Sequence, residues 1–279
     1  MHTWSPDRSA SVHGETALFA RSHFIHGLSL IALFTFTSAG TAFAGDDGHE
    51  PAPESARPVV LVAGLMQDET TVAPLLEALR AQHLDVTLWI PPNSGLDDIK
   101  GYARQLGETV DQVRRRTESA KVDLVGHSEG GVTARRYIKD LGDAAPVHTL
   151  VSLGSPQQGS EGGFLSEILR FTGCEEWAEA CRQMGADSEF MTELNSGDAT
   201  PGDVRYVTVG TRLDGVVQPV NRAGIPGAKN VIMQDECPLR AVGHFGLFED
   251  AWIHQVVTAV LAGGEPEGDC LATPVGGII

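Results

Sequence analysis

The sequence predicts an α/β fold: a mostly parallel sheet with helices on both faces and a lid-like insert. Three observations carry this. Short, continuous apolar runs alternate with stretches whose apolar residues recur at helical spacing, the pattern of strands joined by crossover helices. The runs lack the in–out alternation of a half-solvated sheet, so both of their faces are buried, as in parallel sheets. A single segment, residues 155–203, separates two strands by far more than an ordinary connection.

The elements follow in order. Pro58-Val59-Val60-Leu61-Val62 is the first strand and leads to Gly64. Val72, Leu75, Leu76 and Leu79 then line one side of a helix. Asp85 to Ile90 reads as a strand, and Ile99, Tyr102, Leu106, Val110 and Val113 mark the next helix. Val122 to Val125 is a strand, Glu129 to Leu141 a helix, and Thr149 to Leu153 and Arg205 to Val209 are further strands. Residues 251–262 form a last helix. The crossovers should be right-handed. The insert carries the apolar pairs Phe164-Leu165, Ile168-Leu169 and Phe190-Met191 and two cysteines, which suits a lid or the wall of a pocket.

Composition sets outer limits. With 42% hydrophobic and 20% charged residues, the 279-residue chain is ordinary globular material. Internal repeats are not visible. Residues Gly27 to Phe36 are apolar apart from Ser29 and Thr35, follow Arg21, and precede Ala42-Phe43-Ala44. That is a signal peptide over 1–44, too short to span a bilayer, which needs about 20 apolar residues. Polar, proline-bearing residues 45–57 then read as a flexible arm, and 58–279 as a single domain.

Within 1–44, Asp7 and Glu15 offset Arg8 and Arg21, so the net charge of −17 belongs to the remainder. Such a surface repels nucleic acid and anionic membranes. The expectation is a secreted, monomeric protein with at most transient contact with a lipid interface. The four cysteines, Cys174, Cys181, Cys237 and Cys270, allow three pairings, and proximity favours Cys174–Cys181 and Cys237–Cys270. Zinc is the competing reading, but no CxxC pair is present.

Gly126-His127-Ser128-Glu129-Gly130 is G-x-S-x-G, directly after an apolar strand and before a helix. In that context a sharp turn presents the serine hydroxyl as a nucleophile. A hydroxyl needs a base to activate it. Acid and then histidine should follow in the chain. His244 stands in a Gly-flanked loop, Gly243-His244-Phe245-Gly246, where a ring can turn into a site, whereas His254 falls inside the last helix. Asp214 follows the strand at Tyr206 to Val209 by a short turn, at the sheet edge where ligands bind in open α/β folds. Its rival, Asp235, lies close to Cys237. Two backbone N–H groups should receive an oxyanion: that of Glu129, and that of Leu65 in the loop after the first strand, with Met66 the other choice. No cluster of His and carboxylates argues for a catalytic metal, and no cofactor is called for.

The stretches VVLVAGL (59–65), DLVGHSEGG (123–131), LVSLGSPQQGS (150–160), YVTVGTRLDGVVQP (206–219) and VGHFGL (242–247) together resemble the secreted triacylglycerol lipases and esterases of bacteria, a group of the α/β hydrolases. The resemblance covers most of the chain beyond the leader. It implies an α/β-hydrolase fold, a Ser128–Asp214–His244 triad, Leu65 and Glu129 as oxyanion donors, and hydrolysis of lipid or small carboxylic esters through an acyl-enzyme. Two departures are visible. Ala63-Gly64 stands where the group usually has His-Gly, and Ser155-Pro156-Gln157 where Thr-Pro-His is more usual. A serine acyltransferase on the same residues, and a non-catalytic binding protein of this fold, are the alternatives.

Overall fold

A computed structural model describes residues 56–161 and 174–278. The expected leader (1–44), arm residues 45–55, and Phe164, Leu165, Ile168 and Leu169 of the insert lie outside the described residues.

Six strands form one sheet among the described residues: β1 (Val59–Val62), β2 (Val86–Trp89), β3 (Val122–His127), β4 (Val147–Leu153), β5 (Arg205–Gly210) and β6 (Lys229–Ile232). Their order is β2-β1-β3-β4-β5-β6, with every neighbouring pair parallel. Four long helices connect or flank them: α1 (Glu69–Ala81), α2 (Ile99–Thr117), α3 (Glu129–Leu141) and α4 (Ala251–Leu261). Aspartates fix three of their starts by accepting from first-turn N–H groups: Asp68 from Thr71, Asp98 from Lys100 and Gly101, and Asp250 from Trp252 and Ile253.

The alternation of side chains along each strand divides the core in two. Val59 and Leu61 face α1 and α4, packing with Leu75, Leu79, Trp252 and Val256. Val60 and Val62 face α2 and α3, packing with Tyr102, Leu106 and Ile138. Helices therefore cover both faces. The expected strands all form, though β3 runs on through His127 to the serine and β4 begins at Val147. The strand β6 was not foreseen. It is an edge strand in which Lys229 and Asn230 are exposed and Val231 alone is buried, so it lacks an apolar run.

The segment between β4 and β5 holds three short helices among its described residues, Cys174–Trp177, Glu179–Gln183 and Glu189–Leu194. Buried and half-buried polar contacts fasten it to the domain. Gln183 accepts from Ile99 N (2.8 Å) and donates to Asp98 Oδ1 (2.7 Å) at the start of α2. Arg135 of α3, wholly buried, donates to Asn195 Oδ1 (2.9 Å) and to the carbonyls of Gln157 and Ala199. Burial lowers the Arg135 guanidinium to about 10, so it stays cationic at neutral pH. Phe190, Met191 and Leu194 pack on Ile99 and Val132, forming a third, smaller core. Disulfides join Cys174 to Cys181 and Cys237 to Cys270. Among the described residues no helix is long and apolar enough to cross a membrane.

β1 connects to β2 on one side, and β3 lies on the other. The C-terminal ends of β1 and β3 are therefore the topological switch point of the sheet, the place where ligands bind in open α/β folds.

Candidate active site

The turn from β3 to α3 is one residue long. Ser128 occupies it with φ 56° and ψ −129°, a backbone region that costs a non-glycine residue roughly 1–3 kcal/mol. Ser128 N donates to Leu153 O (2.9 Å), which anchors the turn to β4. The crossing is too close for side chains: a Cβ at Gly130 would lie 2.3 Å from Val62 O.

The residues singled out in the sequence come together here. Ser128 Oγ lies 3.0 Å from His244 Nε2, and His244 Nδ1 lies 2.8 Å from Asp214 Oδ2. A carboxylate accepts, so Nδ1 carries the ring proton and Nε2 is the acceptor that faces the serine hydroxyl. Asp214 Oδ1 accepts from the N–H groups of Val216 and Val217, both at 2.8 Å, which fixes the carboxylate plane. All three side chains are buried, with Ser128 the most open at 8%. Asp235 forms an exposed ion pair with Arg212 instead. His254 donates to Phe248 O (2.6 Å) and is a packing residue of α4.

The glycines around His244 act differently from the sequence expectation. They serve close packing, not mobility. A Cβ at Gly243 would lie 1.7 Å from Ile278 O, and Gly243 N donates to Gly277 O (2.8 Å). Gly277 and Ile278 thus pack directly against the histidine loop. Arg240 and Asp250, at the two ends of that loop, make a buried ion pair at 2.8 Å. Arg240 also donates to the carbonyls of Cys270, Ala272 and Pro274, while Asp250 accepts from Gly276 N.

In the loop after β1, Gly64 packs directly on the nucleophile turn: a Cβ there would lie 3.0 Å from Ser128 Cβ and 3.2 Å from Glu129 N. The two loop residues weighed as oxyanion donors differ here. Met66 N donates to Ser94 O (2.7 Å), whereas Leu65 N has no acceptor among the described residues, and neither has Glu129 N. The favoured pair, Leu65 and Glu129, thus has its N–H groups free.

Two features had no sequence signal strong enough to single them out. Gln67 and His127 are both buried and hydrogen-bonded to each other. Burial, and after it the nearby His244 ring, hold the His127 imidazole well below its ordinary pKa. The Glu129 side chain is buried with neither carboxylate oxygen partnered, and burial pushes its pKa well above the usual carboxylate range. Among the described residues no group of His, Cys, Asp and Glu could hold a metal ion.

A family model described as palmitoyl protein thioesterase matches residues 58–196, just under half of the chain. A triacylglycerol lipase of Pseudarthrobacter phenanthrenivorans is 36% identical over 75 residues, which are 26% of this chain and 23% of that protein. A triacylglycerol lipase of Burkholderia plantarii is 36% identical over 75 residues, again 26% of this chain but 20% of that protein. The matched stretch is therefore a minor part of both curated relatives. Lipase B of Aspergillus fumigatus superposes with a TM-score of 0.63 at 18% identity, covering 78% of this chain and 54% of the other. The mature lipase BlEst2 of Bacillus licheniformis superposes with a TM-score of 0.59 at 19% identity, covering 76% of this chain and 94% of the other.

Proposed function

We propose that this chain, which has the α/β-hydrolase fold, is a secreted serine lipase or esterase that hydrolyses carboxylic esters through an acyl-enzyme. The observation that carries the reading is the unbroken hydrogen-bonded line Ser128–His244–Asp214 at the turn between β3 and α3. Ser128 Oγ attacks the ester carbonyl while His244 Nε2 takes its proton. The imidazolium so formed is stabilised by Asp214, which is itself held by two backbone N–H groups. Negative charge grows on the carbonyl oxygen, toward the free N–H groups of Leu65 and Glu129. One such donor contributes roughly 2.7–4 kcal/mol to the transition state. His244 then returns its proton to the leaving alcohol, and water repeats the sequence to release the acid.

Secretion is supported by the leader-like residues 1–44 and by two disulfides, which persist in oxidising compartments. The substrate is a lipid or small ester, with the chain acting as a monomer. The thioesterase family match favours a second reading, in which the same groups cleave fatty acyl thioesters. The chemistry differs only in the leaving group. Initial rates on p-nitrophenyl esters from acetate to palmitate, beside a long-chain acyl thioester, separate the two. Ester hydrolysis that disappears in Ser128→Ala is the expected result. Turnover of the thioester alone would move the assignment, and turnover of neither would overturn it. An acyltransferase would show its acceptor in the products.

A further inference from the structure

A buried chain of hydrogen bonds runs beneath the proposed triad. Gly64 N donates to Gln67 Oε1 (2.6 Å), Gln67 Nε2 lies 2.7 Å from His127 Nδ1, and His127 Nε2 lies 2.9 Å from His244 O. Each link has one consistent assignment. The His244 carbonyl can only accept, so His127 carries its proton on Nε2. Nδ1 is then an acceptor and takes a proton from the Gln67 amide NH₂. That leaves Gln67 Oε1 facing Gly64 N–H. The wholly buried His127 ring also packs on the rings of His244 (centroids 4.7 Å apart) and Phe248 (4.2 Å).

The chain starts one residue before Leu65, passes through the residue before Ser128, and ends on the backbone of His244. It thus ties together the three loops that must keep register during the reaction. We propose that Gln67 and His127 are positioning residues that hold the oxyanion donor of Leu65 and the base His244 in fixed register with Ser128. Neither touches substrate. They act through the placement of groups that meet the transition state, so their loss should lower kcat and leave KM nearly unchanged. The inference rests on the Ser128–His244–Asp214 reading above.

The test uses the full chain, the four variants Ser128→Ala, Gln67→Met, His127→Phe and Gln67→Glu, and the double variant Gln67→Met with His127→Phe, with a p-nitrophenyl ester as substrate. Gln67→Met and His127→Phe preserve volume and remove the polar links. Each should lower kcat roughly ten- to hundredfold, the scale of a misplacement of about 1 Å. KM should stay within about twofold. Because the links form one chain, the two changes combined should cost no more than the worse one alone. Gln67→Glu keeps the acceptor for Gly64 and the original size but replaces the amide donor to His127 by a carboxyl group, so it perturbs the link without a change of shape should the apolar variants fail to fold. Unchanged kcat in a folded variant, or a loss carried by KM, overturns the positioning role. If circular dichroism shows none of the variants at Gln67 and His127 to fold, the pair is a folding requirement and the role is likewise overturned. Failure of the triad reading looks different: Ser128→Ala would then retain the wild-type rate.

Discussion

Replacing Arg240 by methionine should remove the clamp that holds the histidine loop on the end of the chain. Arg240 is 4% exposed, and its guanidinium donates to both oxygens of Asp250, at 2.9 and 2.8 Å. It also satisfies three carbonyls, of Cys270 (2.8 Å), Ala272 (2.9 Å) and Pro274 (3.2 Å). Methionine fills much of the volume but leaves Asp250 as a buried charge with only backbone N–H partners. Breaking a buried pair from one side costs about 3–5 kcal/mol. For a domain of this size each kcal/mol lowers Tm by about 2–4 °C, giving a drop of roughly 6–20 °C. Thermal unfolding followed by circular dichroism measures it, with urea unfolding as a second scale. A further change of Asp250 to Asn should recover part of the loss, since it removes the uncompensated charge while keeping an acceptor for Trp252 N. The cost should barely respond to salt, because a buried pair is poorly screened. A loss below about 1 kcal/mol would refute the reasoning, by showing that Asp250 reaches water once Arg240 is gone.

Two further predictions concern the interior of the site. Glu129→Gln keeps the backbone N–H and removes a buried carboxyl whose folded pKa is raised. The unfolded chain ionises first, so the wild type loses stability as pH rises above the ordinary glutamate value. The variant should therefore gain more stability at about pH 8 than at about pH 4, and equal gains would contradict the assignment. Reducing Cys237–Cys270, which are 33 residues apart and enclose His244, removes a constraint of roughly 3–4 kcal/mol in the chain-entropy model. Hydrolysis should fall at temperatures where circular dichroism still reports a folded chain. Full activity after reduction, verified by thiol titration, would show that the bridge does not steady the histidine.

Much of the fold was legible because β1, β3, β4 and β5 are buried along nearly their whole length and so appear as apolar runs. The helices were legible from one-sided spacing, as in Val72, Leu75, Leu76 and Leu79. β6 was not, since an edge strand with one buried residue has no periodicity to read. Ser128, Asp214 and His244 were accessible because each follows a strand or sits in a glycine-marked loop, in an order the nucleophile turn suggests. What escaped was long-range. Gln67 and His127 are 60 residues apart and meet through tertiary packing that no local pattern records. Glu129 in the first turn of α3 reads as an ordinary solvated charge at a helix start, and its burial beneath the turn at Gly95 appears only in three dimensions. A Cβ added at Gly95 would lie 2.4 Å from Glu129 Oε2. Phe190 of the insert, read in the sequence as part of a lid or pocket wall, packs in a small core with Ile99 and Val132 against which Leu65 also lies, so a polar residue there would test folding as much as substrate choice.

The role given to Ser128 is tested most directly by reacting the protein with a fluorophosphonate and mapping the adduct by peptide mass spectrometry. A single adduct on the peptide containing Ser128, with ester hydrolysis lost in proportion to the labelled fraction, is the outcome expected from its 3.0 Å contact with His244. Hydrolysis that persists in fully labelled protein, or an adduct on another residue that abolishes it, would contradict the assignment.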